Sequence, residues 1–254
     1  MDLSAGLIEF YLCAIPAVLL VGLSKGGFQG VSLLSLPLMA LAVSPIDALV
    51  IMLPILMVQD VVSAWAYRRT WDGAVLLISL PSAAIGIALG YLLAARVSEA
   101  GISLIVGAIA CIFGVRQLWR RVSQHVHIPS EPGMIRGIGW GMATGFTSMI
   151  AQAGGPTMQI LLLPYRLSRD MFVGTLVMQF LIVNWMRLPA FLALGRMTRE
   201  NLILSASLLP IAIASTWLGI YLVRRTSGPL FFLLIYVLLV LVGAKLILDG
   251  WIAL

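Results

Sequence analysis

Apolar runs, separated by short polar or glycine-rich breaks, occupy nearly the whole chain. They lie near 7–23, 31–43, 46–66, 74–95 and 101–119, then near 134–150, 156–165, 171–192, 201–222 and 229–250. A helix needs roughly 20 apolar residues to cross the hydrocarbon core of a bilayer. Only helices and closed barrels can satisfy their backbone polar groups there. Composition points the same way. Of the 254 residues, 61% are hydrophobic and 10% are charged, whereas soluble domains carry about 25% charged residues. So few charges cannot cover a water-exposed surface. These figures exclude a soluble enzyme, a disordered chain, a collagen-like fibre and a disulfide scaffold. The expected fold class is an all-α polytopic integral membrane protein.

The net charge of +6 would also suit a nucleic-acid binder, but the placement of the basic residues argues for loops retained in the cytoplasm. With the loop holding Arg68 and Arg69 inside, Arg116, Arg120, Arg121, Arg136, Arg166, Arg169, Arg224 and Arg225 also fall inside, while Arg96, Arg196 and Arg199 lie outside. The opposite orientation inverts that bias. Both termini are therefore expected to face outward, the periplasm if this is a bacterial inner membrane. The expected partners are the lipid bilayer and a small anion, with no nucleic acid; self-association is left open. Cys13 and Cys111 sit in apolar runs without metal-ligand spacing and read as packing residues. No cofactor is expected. A cleaved signal peptide is not expected either, because Asp2 and Glu9 stand where a cationic region would be needed.

The chain divides into two similar halves. Leu80-Pro81 through Gly90, Arg96 and Ser98 match Leu209-Pro210 through Gly219, Arg225 and Ser227 at a constant offset of 129. Gly26-Gly27 matches Gly154-Gly155, Pro37 matches Pro164, and Asp47 matches Asp170, with small gaps. Between the halves lies a polar stretch with Arg120, Arg121, His125, His127, Pro129, Glu131 and Pro132; the histidines read as solvated loop residues. The expected organisation is a first transmembrane repeat over 1–119, a cytoplasmic linker over 120–133 and a second repeat over 134–254. The arginine pattern requires the first two runs of each half to return to their starting side. Each half then crosses an odd number of times, so the second is inverted relative to the first. Each repeat is expected to hold a broken or short helix pair plus three full transmembrane helices, an architecture of many secondary transporters.

Two runs, 31–43 and 156–165, are too short to span comfortably, and each follows a glycine-rich break with polar residues. The first break is Gly22-Leu23-Ser24-Lys25-Gly26-Gly27-Phe28-Gln29-Gly30; the second runs from Ser148 through Gln152, Gly154, Gly155 and Pro156 to Thr157. Short, glycine-interrupted segments at matching positions of two halves mark a transporter's binding site. A helix that restarts after such a break presents unpaired N–H groups and a partial positive charge, so two facing helix starts would cradle an anion. The candidate binding residues are Ser24, Lys25, Gly26, Gly27, Gln29, Ser32, Gln152, Gly154, Gly155 and Thr157. Lys25 supplies a full charge, and its loss is expected to weaken anion binding more than folding. The competing reading is that the glycines only let helices cross closely.

These features resemble the TauE/SafE family of sulfite and sulfonate exporters. The resemblance rests on Gly22 to Pro37, on Tyr67-Arg68-Arg69 with Trp71-Asp72, on Pro81 with Gly86 and Gly90, on Gly154-Gly155-Pro156, and on Asn184 followed by Arg187. It covers essentially the whole chain. It implies transport of small anions, often sulfur-containing or carboxylated, and supplies no defined set of site positions.

Ionisable groups within spans are costly and mark function by default. Arg187 lies three residues after Asn184, on one helix face, and both join the candidate anion ligands; the alternative for Arg187 is snorkelling to the interface. Asp60, beside Gln59, is the acid most clearly within a span. It could pair with Lys25 or Arg187, or carry a proton, so Asp60 and Gln59 are the coupling candidates. Lys245 and Asp249 read as an interfacial pair. A nucleophile–base pair or paired carboxylates are missing from the predicted spans, and no Gly-x-x-x-x-Gly-Lys-Ser/Thr motif occurs. The expected function is a secondary transporter of small anions, working by alternating access. Export is favoured because the membrane potential drives an anion outward by about 2.3 kcal/mol per charge per 100 mV. Proton- or sodium-coupled uptake and an anion channel are the alternatives.

Overall fold

The computed structural model describes residues 3–25, 31–123, 134–223 and 229–254. Among these the backbone forms ten α-helices and two 3-10 turns, and no strand. In order they are α1 (Leu3–Lys25), a 3-10 turn (Val31–Leu34), α2 (Ser35–Met39), α3 (Pro45–Tyr67), α4 (Gly73–Ala94), α5 (Glu99–Ser123), α6 (Met134–Ala151), α7 (Gly154–Leu162), a second 3-10 turn (Leu163–Tyr165), α8 (Arg169–Ala193), α9 (Arg199–Val223) and α10 (Pro229–Ile252). Six of these helices (α1, α3, α4, α5, α8 and α9) are long and apolar enough to cross a membrane. Large apolar side chains such as Leu77, Ile85, Ile112 and Leu241 point outward, as a lipid-facing surface requires.

Short polar caps start the long helices. Ser44 Oγ accepts from the Asp47 N–H at 3.2 Å ahead of Pro45, the first helical residue of α3. Asp72 Oδ1 accepts from the N–H groups of Ala74 and Val75 at 2.9 and 3.1 Å at the start of α4. Ser168 Oγ accepts from Met171 at the start of α8. Each cap satisfies N–H groups that the helix itself leaves unpaired.

The helices pair as α1 with α9, α4 with α6, α5 with α10, α3 with α9, α8 with α4, and α3 with α8. Glycines set the closest crossings. A Cβ on Gly219 would stand 2.5 Å from the Gly22 carbonyl oxygen, and one on Gly107 would stand 2.6 Å from the Gly243 carbonyl oxygen. Gly86 and Gly145 similarly bring α4 and α6 backbone to backbone. In membranes, small residues at crossings permit this close packing.

Three sequence expectations shift. α1 runs unbroken through Gly22, Leu23 and Ser24 to Lys25, so Ser24 and Lys25 form its last turn rather than a break. Gly22 serves instead the crossing onto Ser215 of α9. The expected short runs shrink further, to Ser35–Met39 and Gly154–Leu162 with a 3-10 turn beside each. α5 continues to Ser123, past the expected linker start at 120. Gly26, Gly27 and Gln29, like His125 and His127, lie outside the described residues.

Candidate functional site

A cavity of about 100 Å³ opens among the helices, room for a small polar ligand only. Its lining comes from seven elements, among them α3, which supplies Leu56. The end of α1 contributes Ser24 and Lys25, and the segment after it contributes Ser32 and Ser35; the end of α6 contributes Ser148 and Gln152, and the start of α7 contributes Gly155 and Gln159. α8 supplies one long wall from Val173 through Phe180 to Asn184 and Arg187, about 21 Å of helix at about 1.5 Å per residue. Residues from both sequence breaks therefore face one space, and Asn184 and Arg187 join them.

A chain of polar contacts joins Lys25, Asn184 and Arg187 of this lining through Asp60. Lys25 Nζ pairs with Asp60 Oδ1. Asn184 Nδ2 donates to Asp60 Oδ2 at 2.5 Å, and Arg187 Nη1 donates to Asn184 Oδ1 at 2.8 Å. Asp60 is 0% exposed and Arg187 1% exposed, so Arg187 does not snorkel to an interface. Both carboxylate oxygens of Asp60 are engaged, one of them by Lys25. The Lys25 charge is thus answered within the protein by Asp60, one of the pairings the sequence left open, while Lys25 also lines the cavity. Phe180 and Phe191 shield the cations, with ring centroids 5.9 Å from Lys25 Nζ and 5.4 Å from Arg187 Cζ, a contact worth more where water is excluded.

Arg187 is only partly answered. Among the described residues, its Nε and Nη2 are buried without a hydrogen-bond partner. These two N–H groups form one edge of the planar guanidinium, the edge that grips two oxygens of a single oxyanion. Gln152 Nε2 and Oε1 and Ser148 Oγ are likewise buried and unpartnered, and all three residues line the same cavity. Buried polar groups are ordinarily paired. Several such groups converge on one cavity, the arrangement a polar ligand would need.

The local backbone explains how Gln152 gets there. It adopts φ 51°, left-handed geometry that favours glycine, at the end of α6, where the Ala153 N–H turns back to the Thr147 carbonyl at 3.0 Å. Two residues later α7 begins, with no side chain capping its first N–H groups. The strained turn places the amide of Gln152 beside that uncapped start. Gly155 leaves open space there, since the nearest atom to a Cβ would be Gln159 Nε2 at 4.0 Å.

Other candidates serve packing instead. Thr157 Oγ1 donates to the Gly154 carbonyl at 2.8 Å and lies 3.0 Å from Thr144 Oγ1. A Cβ on Gly154 would collide with Ser148 and with the Thr144 carbonyl oxygen, 2.9 Å away. Gln59 Nε2 donates to the carbonyls of Val18 and Ala212 at 3.4 and 3.3 Å, tying α3 to α1 and α9. None of these three lines the cavity. Sequence reasoning did not single out Ser148, although it opened one of the breaks, and nothing in the sequence marked Phe180 as a shield. Lys245 and Asp249 form an exposed pair at 2.6 Å, as expected at an interface.

The family model described as "Sulfite exporter TauE/SafE" matches residues 14–246. No curated protein and no solved structure matches the chain.

Proposed function

The chain belongs to the TauE/SafE sulfite exporter family, and from that premise we propose that it carries small oxyanions across the membrane by alternating access, through the cavity at Arg187. The family consists of transporters rather than enzymes, and membership implies export of sulfite- or sulfonate-type anions. The observation that carries the reading is the buried Nε/Nη2 edge of Arg187, without a partner in a cavity that also holds the free groups of Gln152 and Ser148. Arg187 grips the anion, Gln152 and Ser148 donate to its remaining oxygens, and the uncapped start of α7 adds its N–H groups. Lys25, Asp60 and Asn184 hold Arg187 in place from behind. Ser24 and Ser32 line the same cavity, and Gly26, Gly27 and Gln29 remain candidates by sequence.

Two inverted repeats, 1–119 and 134–254 joined by a cytoplasmic linker, would make alternating access possible. The helix pairings support this reading. Exchanging α1 for α6, α3 for α8, α4 for α9 and α5 for α10 turns α1–α9 into α6–α4 and α3–α9 into α8–α4, both of which are pairs in the fold. It leaves α5–α10 and α3–α8 unchanged. The offset that matches Gly90 to Gly219 agrees, since each lies at its own copy of the same crossing. Both termini then face outward, and the cavity wall begins near the cytoplasmic end of α8. The membrane potential moves each negative charge outward with about 2.3 kcal/mol per 100 mV, so export proceeds without a coupled ion. The test is thermal stabilisation of purified protein by sulfite. A saturable rise in melting temperature, lost in Arg187→Gln, is the result expected; an equal rise in both proteins contradicts the assignment.

A further inference from the structure

We infer that the cavity is matched to a singly charged oxyanion and discriminates against dianions by charge balance. The inference rests on the anion-site reading above and narrows its substrate class. Among the described residues, the ionised groups at the cavity are Lys25 and Arg187 on its lining and Asp60, which pairs with Lys25 and reaches Arg187 through Asn184. Residues 26–30 carry no ionisable side chain. Two cations and one carboxylate leave one positive charge. A buried charge without an answering one is costly, and one negative charge answers it. A dianion would leave the filled cavity negative, against the apolar side chains of Leu56, Val173, Leu176, Val177 and Phe180.

Shape reinforces the count. The free Nε/Nη2 edge of Arg187 presents two parallel donors to two oxygens on one atom, a demand that sulfonates and carboxylates meet and halides do not. Gln152 offers a free donor and a free acceptor, so a third oxygen, or a hydroxyl on the anion, finds a partner. The ligand class is a small monoanion bearing a sulfonate, hydrogensulfite or carboxylate group. Asp60 is then a specificity-determining residue that sets the net charge without touching the anion.

The test compares methanesulfonate with sulfate, both tetrahedral at sulfur and differing in charge, at fixed ionic strength on the purified full-length protein. Wild type is expected to bind methanesulfonate at least about tenfold more tightly, the factor that about 1.4 kcal/mol provides. Asp60→Asn raises the balance by one charge and is expected to reverse the preference. Lys25→Met/Asp60→Asn removes the pair together, restores the balance and is expected to restore the methanesulfonate preference. The double variant also keeps the test open if Asp60→Asn alone fails to fold. Sulfate preferred by wild type, or a preference identical in all three proteins, overturns the inference while leaving the anion site standing. Binding of neither anion to wild type overturns the anion-site reading and the inference with it.

Discussion

At the residue scale, Arg187→Lys separates charge from geometry. Lysine keeps the positive charge but offers a compact ammonium in place of the two-donor edge. A hydrogen bond to a charged group contributes about 1.5–3 kcal/mol, so sulfite affinity is expected to fall by at least about tenfold, read by titration calorimetry. The melting temperature should stay near that of wild type, because Lys25 and Asp60 still answer one another. Lys25→Ala should behave differently. It strands Asp60 in a site with 0% exposure, and breaking a buried pair costs about 3–5 kcal/mol; thermal unfolding should show the loss before any binding assay does. Gln152→Gly should relieve the left-handed turn and raise stability by about 1 kcal/mol, yet weaken sulfite binding. The intramembrane placement of Arg187, Asn184 and Asp60 was legible in the sequence, because charges in apolar runs stand out. Their pairing was not. Which cation Asp60 answers depends on how α1, α3 and α8 meet, and the spacing within one helix carries no information about that.

At the element scale, the paired glycines of α7 have separate duties that adjacent substitutions distinguish. Gly154→Ala forces a methyl against Ser148 and the Thr144 carbonyl and should cost about 1–3 kcal/mol by overpacking, seen as a lower melting temperature. Gly155→Ala meets nothing closer than 4.0 Å; its stability should match wild type while anion affinity drops, because the methyl occupies the cavity. The sequence marked both glycines together and offered two explanations, a chain break and a close crossing. Each explanation holds for one of the two. Gly22 shows the same ambiguity, since it sat in a presumed break and packs α1 onto Ser215 instead. A glycine's role follows from what approaches it, and only the tertiary fold states that. The segment pattern was easier to read, since runs of apolar residues are local features.

At the scale of the whole molecule, the proposed two halves of opposite orientation about one central site would form a carrier, whereas the same helices around an open path would form a channel. The two differ in a property no static contact carries. In a carrier, an anion bound at Arg187 must be released before the empty site can reorient, so anion on one side accelerates movement from the other. The most direct measurement is counterflow of isotope-labelled sulfite in proteoliposomes preloaded with unlabelled sulfite. Wild type should show saturable uptake, accelerated by the internal anion. Arg187→Gln should show none while melting at the wild-type temperature. Uptake indifferent to internal sulfite, or counterflow undiminished in Arg187→Gln, would contradict a carrier built around Arg187.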